Sequence, residues 1–303
     1  MRKNFLLILI CLLVLSGVSI AQKVTFSPIQ REEDVNIKFD ILGRVDSNYL
    51  VYKNIRWKHI LTFYDRNMRV VSSERMKFLP EKTINADFIL YPGYFYVIYQ
   101  YEKNGIVYCC AAKMNNTGER MSESVILDTT RISLIADNKI YSSIYSEDKQ
   151  RILIYKMHVK SGKLTIGTRL FDSQLQLLDS NRTVYSFNER EEFFSDFLLA
   201  NDGTIYFARN KRNSRSDNFS ALEICVRKPG EAGYQPVDIP LENKFIDEVF
   251  LRVDNMNRSL LVNSFFYYQS RGNIMGLFTA IRKSSGEIRT AFNVIDDSVR
   301  RRC

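Results

Sequence analysis

The sequence predicts an all-β protein made of about five repeating units, each with four antiparallel strands. Composition is the first observation behind this prediction, because 17 Tyr and 20 Phe stand against only 13 Gly and 6 Pro, a balance typical of strands. Periodicity is the second, because turn residues between apolar runs recur at Asn67, Gly118, Gln174, Gly230 and Gly286. The successive spacings are 51, 56, 56 and 56 residues. Such regular spacing indicates a structural repeat.

The repeats are placed by strand-like stretches that end at these turns. The predicted units span residues 35–78, 88–127, 132–187, 197–239 and 249–295. The first and third units share a pattern, because 62–71 and 169–178 both run from an apolar segment through an aspartate and a turn to a second apolar segment.

The second, fourth and fifth units place a glycine turn after a strand-like segment. These segments, 106–114, 221–227 and 276–282, are rich in β-branched and aromatic residues. Composition of this kind between turn residues is typical of β-hairpins.

Four-stranded antiparallel units that repeat at this interval resemble the blades of a β-propeller. One twisted sheet cannot bury both faces until others pack beside it. The resemblance covers nearly the whole chain after residue 21, and implies a secreted β-propeller repeat protein with about five blades. It is architectural, since the Trp-Asp dipeptide and the kelch double glycine are both missing. A pair of β-sandwiches is the rival fold.

Residues 1–21 have the pattern of a secretory signal peptide. Arg2 and Lys3 form a basic start, 5–15 is apolar, and a small-x-small site ends at Ala21. The apolar run is shorter than the roughly 20 residues that span a bilayer. We therefore expect cleavage near Ala21, a β-propeller-like domain over 22–303 without a membrane span, and a periplasmic or extracellular location.

Charge and cysteine usage restrict the partners and cofactors. The formal net charge is +9, and it falls to +7 when the two basic residues of 1–21 are removed. The basic residues are scattered without the aromatic spacing of a nucleic-acid groove, so no nucleic-acid partner is expected. Cys109, Cys110, Cys225 and Cys303 match no zinc-binding spacing. We expect buried free thiols and neither a metal nor another cofactor.

Catalysis has few candidates in this sequence. His59 and His158 are the two histidines, and neither has a local nucleophile motif. An enzyme would more plausibly use carboxylates just before the innermost strand of each unit, and the candidates are Asp87, Asp128, Asp196 and Asp247. Residues 85–99 are similar to the first blade of five-bladed glycosidases, which implies glycoside-active chemistry. They depart from it in lacking the proline after the aspartate.

Loops between the second and third strands offer candidates for ligand binding. Arginine and aromatic side chains are enriched in recognition surfaces because they combine contact area with directed donors. The candidates are Arg56, Trp57, Arg212, Arg215, Tyr267, Tyr268 and Arg271. Trp57, the single tryptophan, is the first of them.

The function predicted from these observations is that of an exported, non-catalytic binding protein. Its ligand would be a protein, a peptide or a cell-surface glycan. A glycoside-active enzyme that uses the four aspartates is the first alternative. A structural module or fragment of a larger envelope or sensor protein is the second.

Overall fold

The computed structural model describes residues 24–26, 37–55, 57–132, 138–213 and 215–296, and every regular element in them is a β-strand. These strands form five antiparallel sheets, numbered I to V in chain order. The chain divides into two compact units: unit 1 contains sheet I with Asn116–Glu119, and unit 2 contains sheets II to V. The predicted signal peptide lies outside the described residues.

Sheets I, II and III each have four strands in sequence order. Sheet I consists of β1 (Ile37–Val45), β2 (Asn48–Ile55), β3 (Lys58–Tyr64) and β4 (Val70–Arg75). Sheet II consists of β5 (Thr83–Tyr91), β6 (Tyr94–Lys103), β7 (Ile106–Asn115) and β8 (Val125–Arg131). Sheet III consists of β9 (Tyr141–Tyr145), β10 (Arg151–Lys160), β11 (Lys163–Asp172) and β12 (Leu177–Ser186).

Sheets IV and V also have four strand positions, but in each of them the first position is occupied by two short strands in place of one. Sheet IV consists of β13 (Glu192–Phe194), β14 (Leu198–Leu199), β15 (Ile205–Lys211), β16 (Ala221–Arg227) and β17 (Gln235–Ile239). Sheet V consists of β18 (Phe245–Ile246), β19 (Phe250–Asp254), β20 (Ser259–Tyr267), β21 (Gly276–Lys283) and β22 (Ile288–Val294). Both β13 and β14 pair with β15, and both β18 and β19 pair with β20.

The sequence period marks the same hairpin in every sheet. The five turn centres used for the spacing all lie between the third and fourth strands of their sheets. In sheets I and III this hairpin is stabilised in the same way, because the Oδ1 atoms of Asp65 and Asp172 each accept two backbone N–H bonds of 2.8 Å. Met68 and Leu175 take the left-handed conformation that closes these turns.

Three apolar layers hold unit 2 together, one between each pair of consecutive sheets. In β10, Ile152 and Ile154 pack against sheet II, whereas Leu153 between them packs against sheet IV. In β15, Phe207 faces sheet III and Ala208 faces sheet V. Side chains therefore alternate between two cores instead of between core and water.

The first strands of unit 2 adjoin one another. β14 contacts both β9 and β19, and Asp87 of β5 accepts a 2.7 Å hydrogen bond from the Ser143 hydroxyl of β9. The prediction of an all-β protein with five four-stranded antiparallel sheets is confirmed. The closure of about five blades into one propeller stays a prediction.

Unit 1 has its own core in sheet I, where Leu50, Leu61 and Phe63 are buried. The buried His59 of β3 hydrogen-bonds through Nδ1 with the Tyr52 hydroxyl at 2.7 Å. His158, the other histidine, is an exposed residue of β10.

Two glycines of unit 2 provide a matched test of this packing. A Cβ atom added at Gly276 of β21 would lie 1.9 Å from the carbonyl oxygen of Asn293, whereas one added at Gly233 meets no atom within 4 Å. We expect Gly276→Ala to destabilise the protein by about 1–3 kcal/mol or more, because strand β22 must shift. Gly233→Ala should be neutral or stabilising by less than about 1 kcal/mol. Urea unfolding measures both, and equal midpoints would contradict the strand packing.

Candidate functional site

An open groove lies at one end of sheets III and IV. Its walls are the connection from β12 to β13 and the connection from β15 to β16, together with Gly162 of the turn between β10 and β11. The groove encloses about 710 Å³. Carboxylate, guanidinium, ammonium and amide groups line it, and Phe187 supplies an apolar wall. It is thus a polar site large enough for a small molecule or a segment of a polymer.

Asn188 organises the connection that enters β13. Its backbone carbonyl accepts hydrogen bonds from the backbone amides of Glu191 and Glu192, at 3.0 and 2.9 Å. Its own amide groups reach the two side chains, because Nδ2 donates to Glu191 Oε2 at 3.1 Å and the backbone N–H donates to Glu192 Oε2 at 2.9 Å. A single residue therefore fixes both carboxylates on the groove wall.

Arg209 of β15 holds two carboxylates at once. Its guanidinium makes an ion pair with Glu192 and another, of 3.3 Å, with Glu223. Lys211 makes a further ion pair with Glu223. The two glutamate side chains are 12% and 13% exposed, so these pairs are shielded from solvent more than ordinary surface pairs.

The side chain of Arg212, another residue that lines the groove, is held against two aromatic rings. Its guanidinium carbon lies 4.4 Å from the ring centroid of Phe193 and 5.9 Å from that of Phe219. Nη1 donates to the carbonyl oxygen of Asp217 at 3.1 Å, and the backbone N–H donates to the carbonyl of Glu191 at 2.9 Å. Stacking and hydrogen bonding together orient this cation.

Below the groove, the interface of sheets III and IV contains buried polar groups. The pKa of the Cys225 thiol is raised to about 12, first by burial and then by the nearby Glu223, while Arg209 and Lys211 act in the opposite direction. Burial likewise raises the pKa of Tyr185 to about 12. Arg227, which is 1% exposed, is neutralised by Asp179 at 2.6 Å.

Three of the aspartates predicted as catalytic lie at first-strand positions of unit 2, one within a strand and two in the breaks of the split first strands. Asp87 accepts hydrogen bonds from Asn85 and Ser143 and pairs with Lys139 at 3.1 Å. Asp247, between β18 and β19, accepts hydrogen bonds from the hydroxyls of Ser264 and Tyr267.

Asp196, the third, is exposed and lies between β13 and β14. The charges of two of these carboxylates act on the hydroxyl of Tyr155. Its pKa is raised, first by burial and then by the charges of Asp196 and Asp87. Asp87 and Asp196 therefore act electrostatically on the same hydroxyl.

Asp128 does not precede a first strand, as the sequence had suggested. It lies in β8, the last strand of sheet II, where it pairs with Lys156 at 2.7 Å and Arg169 at 3.0 Å from sheet III. The first strand of sheet III, β9, begins at Tyr141, well after Asp128 in the sequence. Asp128 thus links two sheets and is not grouped with the other three aspartates.

The candidates for ligand binding are divided between several places. Arg212 and Arg215 lie in the β15–β16 connection, and Arg215 is exposed. Asp217 of this loop joins Arg212 to Arg271, which it contacts at 3.5 Å. The two loops that carry Arg212 and Arg271 therefore adjoin.

The remaining candidates have different surroundings. Tyr267 is buried and donates to Asp247 at 2.8 Å, whereas Tyr268 is 53% exposed. Trp57 is 56% exposed in the β2–β3 turn of unit 1. Arg56 lies outside the described residues.

The sequence did not single out Glu191, Glu192, Arg209 and Glu223. The sequence places the start of the fourth unit at 197, whereas β13 begins at Glu192. The run of acidic residues just before Phe193 is the sequence feature that could have identified the two glutamates of the groove. The Arg209 pairs depend on cross-strand register between β15 and its neighbours, which the sequence does not display.

No group of three or more His, Cys, Asp or Glu side chains in the described ranges is arranged to hold a metal ion. Within the same ranges, no helix has the length and apolar character to cross a membrane.

Comparison with known proteins gives structural neighbours only. No protein-family model and no curated protein matches the chain. Oligopeptidase B from Trypanosoma brucei is 12% identical, with a TM-score of 0.45 and coverage of 86% of this chain and 34% of that one. Prolyl oligopeptidase B from Galerina marginata is 12% identical, with a TM-score of 0.46 and coverage of 86% and 38%. Synechocystis apocarotenoid oxygenase is 10% identical, with a TM-score of 0.40 and coverage of 83% and 62%.

These neighbours have propeller-type folds, and the chain spans less than two thirds of each. The similar structures are peptidases and oxygenases, and none of those named here is a binding-only protein. The prediction of an exported non-catalytic binding protein for a protein, peptide or cell-surface glycan is therefore wrong on this comparison. At such identities the likeness concerns the fold and assigns no reaction to this chain.

The buried Cys225 thiol makes stability dependent on pH. The folded state keeps a proton up to a pKa of about 12, whereas the unfolded thiol loses it near 9. Its contribution is complete below pH 9 and is lost as pH rises toward 12, so stability should fall by roughly 2 kcal/mol between pH 9 and 11. Urea unfolding at both pH values, in wild type and Cys225→Ala, measures this. An equally steep fall in the variant would contradict the assignment to Cys225.

Proposed function

We propose that the chain is a carbohydrate-active hydrolase, with its site in the groove between sheets III and IV. The observation that supports this proposal is the pair of carboxylates of Glu191 and Glu192 on one groove wall, both hydrogen-bonded to Asn188. Two carboxyl groups about 5 to 10 Å apart are the usual catalytic groups of glycoside hydrolysis. Hydrogen bonds to the same residue, Asn188, hold the two glutamate side chains near each other.

The surroundings of the two glutamates suit different roles. Glu192 is paired with the Arg209 guanidinium, and a positive charge at this distance stabilises a carboxylate. Glu191 receives a hydrogen bond from the neutral amide of Asn188. In the proposed division, Glu192 is the nucleophile on one side of the sugar, and Glu191 is the group that exchanges a proton with the leaving oxygen.

The net reaction is the addition of water across a glycosidic C–O bond. The bond between the anomeric carbon and the leaving oxygen breaks, the water oxygen bonds to the anomeric carbon, and the leaving oxygen gains a proton through Glu191. Glu192 attacks the anomeric carbon and forms a glycosyl ester, and water then hydrolyses this ester while Glu191 takes up the water proton and so regains the one it gave to the leaving oxygen.

The groove is a better candidate than the first-strand aspartates. Asp87 lines a pocket with no room for a small molecule, and Asp247 is hydrogen-bonded to the hydroxyls of Ser264 and Tyr267. Glu191 and Glu192 line a space of about 710 Å³ that is open to solvent.

We predict that the purified protein releases reducing ends from at least one polysaccharide in a broad panel. Glu192→Gln and Glu191→Gln should each lower this rate 100-fold or more, because each removes one catalytic carboxyl group at nearly constant volume. Reducing-sugar release and product chromatography provide the measurement.

Glu242→Gln serves as the matched control, since Glu242 is exposed, outside the groove and paired with Lys244. It should retain the wild-type rate. Failure to cleave any glycan, or full activity of both groove variants, would refute the proposal.

We also propose that the chain is exported after cleavage following Ala21. The support is the basic start, the apolar stretch and the small-x-small site in residues 1–21. Expression of the full chain in a bacterial host should give a periplasmic or secreted product whose first residue is Gln22. N-terminal sequencing tests this, and an intact Met1 on a cytoplasmic product would contradict it.

A further inference from the structure

We propose that the interface between sheets III and IV binds a row of at least two water molecules, which extends from below the groove along strands β12 and β16. The inference rests on buried polar groups that the protein itself leaves without a hydrogen-bond partner. It is separate from the two glutamates of the proposed hydrolase and does not depend on that function.

Strands β12 and β16 face each other with polar side chains, whereas the inner strands of the same two sheets face each other with apolar ones. Directly paired residues of neighbouring strands point to the same side of a sheet. The residues of β12 that share a side with the core residues of β11 are Asp179, Asn181, Thr183 and Tyr185. The residues of β16 that share a side with those of β15 are Glu223, Cys225 and Arg227. Two polar rows therefore line the interface.

Specific contacts align these two rows. Arg227 makes an ion pair with Asp179 at 2.6 Å. The loop between β16 and β17 covers the same end, because Asn181 Nδ2 donates to the Ala232 carbonyl at 2.8 Å. Arg209 lies at the groove end, four residues along β15 from the residue that pairs with Arg227. At about 3.3 Å per residue, these two strand positions are about 13 Å apart.

Several buried polar atoms of this interface have no hydrogen-bond partner among the described residues. They are Thr168 Oγ1, Tyr185 Oη, Tyr234 Oη, Arg209 Nε and Arg227 Nη1. Thr168, Tyr234 and Arg227 are only 3%, 6% and 1% exposed. The large majority of buried side-chain polar atoms in proteins have a partner, which is often an ordered water. A cluster of buried donors without one therefore indicates a bound molecule.

Electrostatic interactions show that these groups are neighbours. Burial raises the pKa of the Tyr234 hydroxyl, and Thr168 and Arg227 act on it in the opposite direction. Burial also raises the pKa of Tyr185 to about 12, while the backbone of Tyr234 and the charge of Arg209 lower it. The hydroxyls therefore form a connected series between the two arginines.

Water suits this site better than an ion. The charge of Arg227 is balanced by Asp179, and that of Arg209 by Glu192 and Glu223. An anion would add an uncompensated charge to a buried interface, which is costly. A water molecule is neutral, accepts from the unpartnered donors and makes about three hydrogen bonds when buried. Since the strand positions at the two ends are about 13 Å apart, a single water molecule does not serve both.

The interface between sheets II and III provides a matched contrast. There the Thr130 and Tyr141 hydroxyls are bonded directly to each other at 2.6 Å, and Lys156 donates to Thr130 at 2.8 Å. A threonine and a tyrosine also meet between sheets III and IV, but neither Thr168 nor Tyr234 completes a hydrogen bond through its hydroxyl. A water molecule between these two hydroxyls accounts for the difference.

High-resolution crystal structures of the protein, grown in chloride and in bromide, test the proposal directly. We expect density for at least two water oxygens, each within about 3.2 Å of two or more of the unpartnered atoms, and no anomalous bromide peak. Continuous protein packing without such density overturns the inference. A bromide peak in the interface overturns it as well, because the bound molecule would then be an anion.

Removal of single hydroxyls tests the same point in solution through the sign of the effect. Tyr234→Phe and Thr168→Val each delete one hydroxyl at nearly constant volume. If the hydroxyl binds water, its loss should lower the melting temperature by about 2–4 °C. If the hydroxyl is unsatisfied, its removal should raise the melting temperature, and a rise in both variants contradicts the proposal.

Two control variants and one double variant complete the test. Tyr268→Phe, at a 53% exposed position, should leave the melting temperature unchanged. Tyr141→Phe removes a directly bonded hydroxyl and should lower it. The double variant of Thr168 and Tyr234 should melt below either single variant, because each hydroxyl binds water. A double variant no less stable than the single ones would mean that the two hydroxyls bond only to each other, and would refute the water site.

Discussion

Packing of one β-sheet against the next is the constraint on which unit 2 depends. Each inner sheet buries both of its faces, so a strand such as β10 must carry apolar side chains in both directions along its length, as Ile152, Leu153 and Ile154 do. Burial of this kind supplies most of the favourable free energy of folding. It also explains the high content of Tyr and Phe, because flat aromatic rings fill the space between twisted sheets.

The candidate site arises where this apolar packing ends. Between sheets III and IV the core changes from Leu, Ile and Phe to Cys225 and Tyr185, and then to Arg209 with its two glutamates at the groove. Unpaired charges in such a position would be costly, so each acid there has a partner. The same apolar layer supports the charged groups from below and limits their movement, which is a requirement for a binding or catalytic site.

Much of the fold could be predicted from the sequence. The period of about 56 residues came from one hairpin repeated in each sheet, and aspartate-capped turns such as those at Asp65 and Asp172 are local enough to be recognised directly. The candidate site in the groove was harder to predict from the sequence. The sequence predicts Arg212 as a binding candidate but does not single out Glu191 and Glu192. The reason is that β13 is only three residues long and is separated from β14, so it gives no recognisable strand pattern.

The sequence by itself determined the strand class, the number of repeats and the position of their turns, since these depend on alternation and turn chemistry within a few residues. Only the tertiary structure decided which charged groups meet. Asp128 binds two basic residues of the next sheet, and Arg209 binds glutamates from β13 and β16. Such contacts depend on the register between strands and on the facing of neighbouring sheets, and neither property is encoded in any short stretch of the chain.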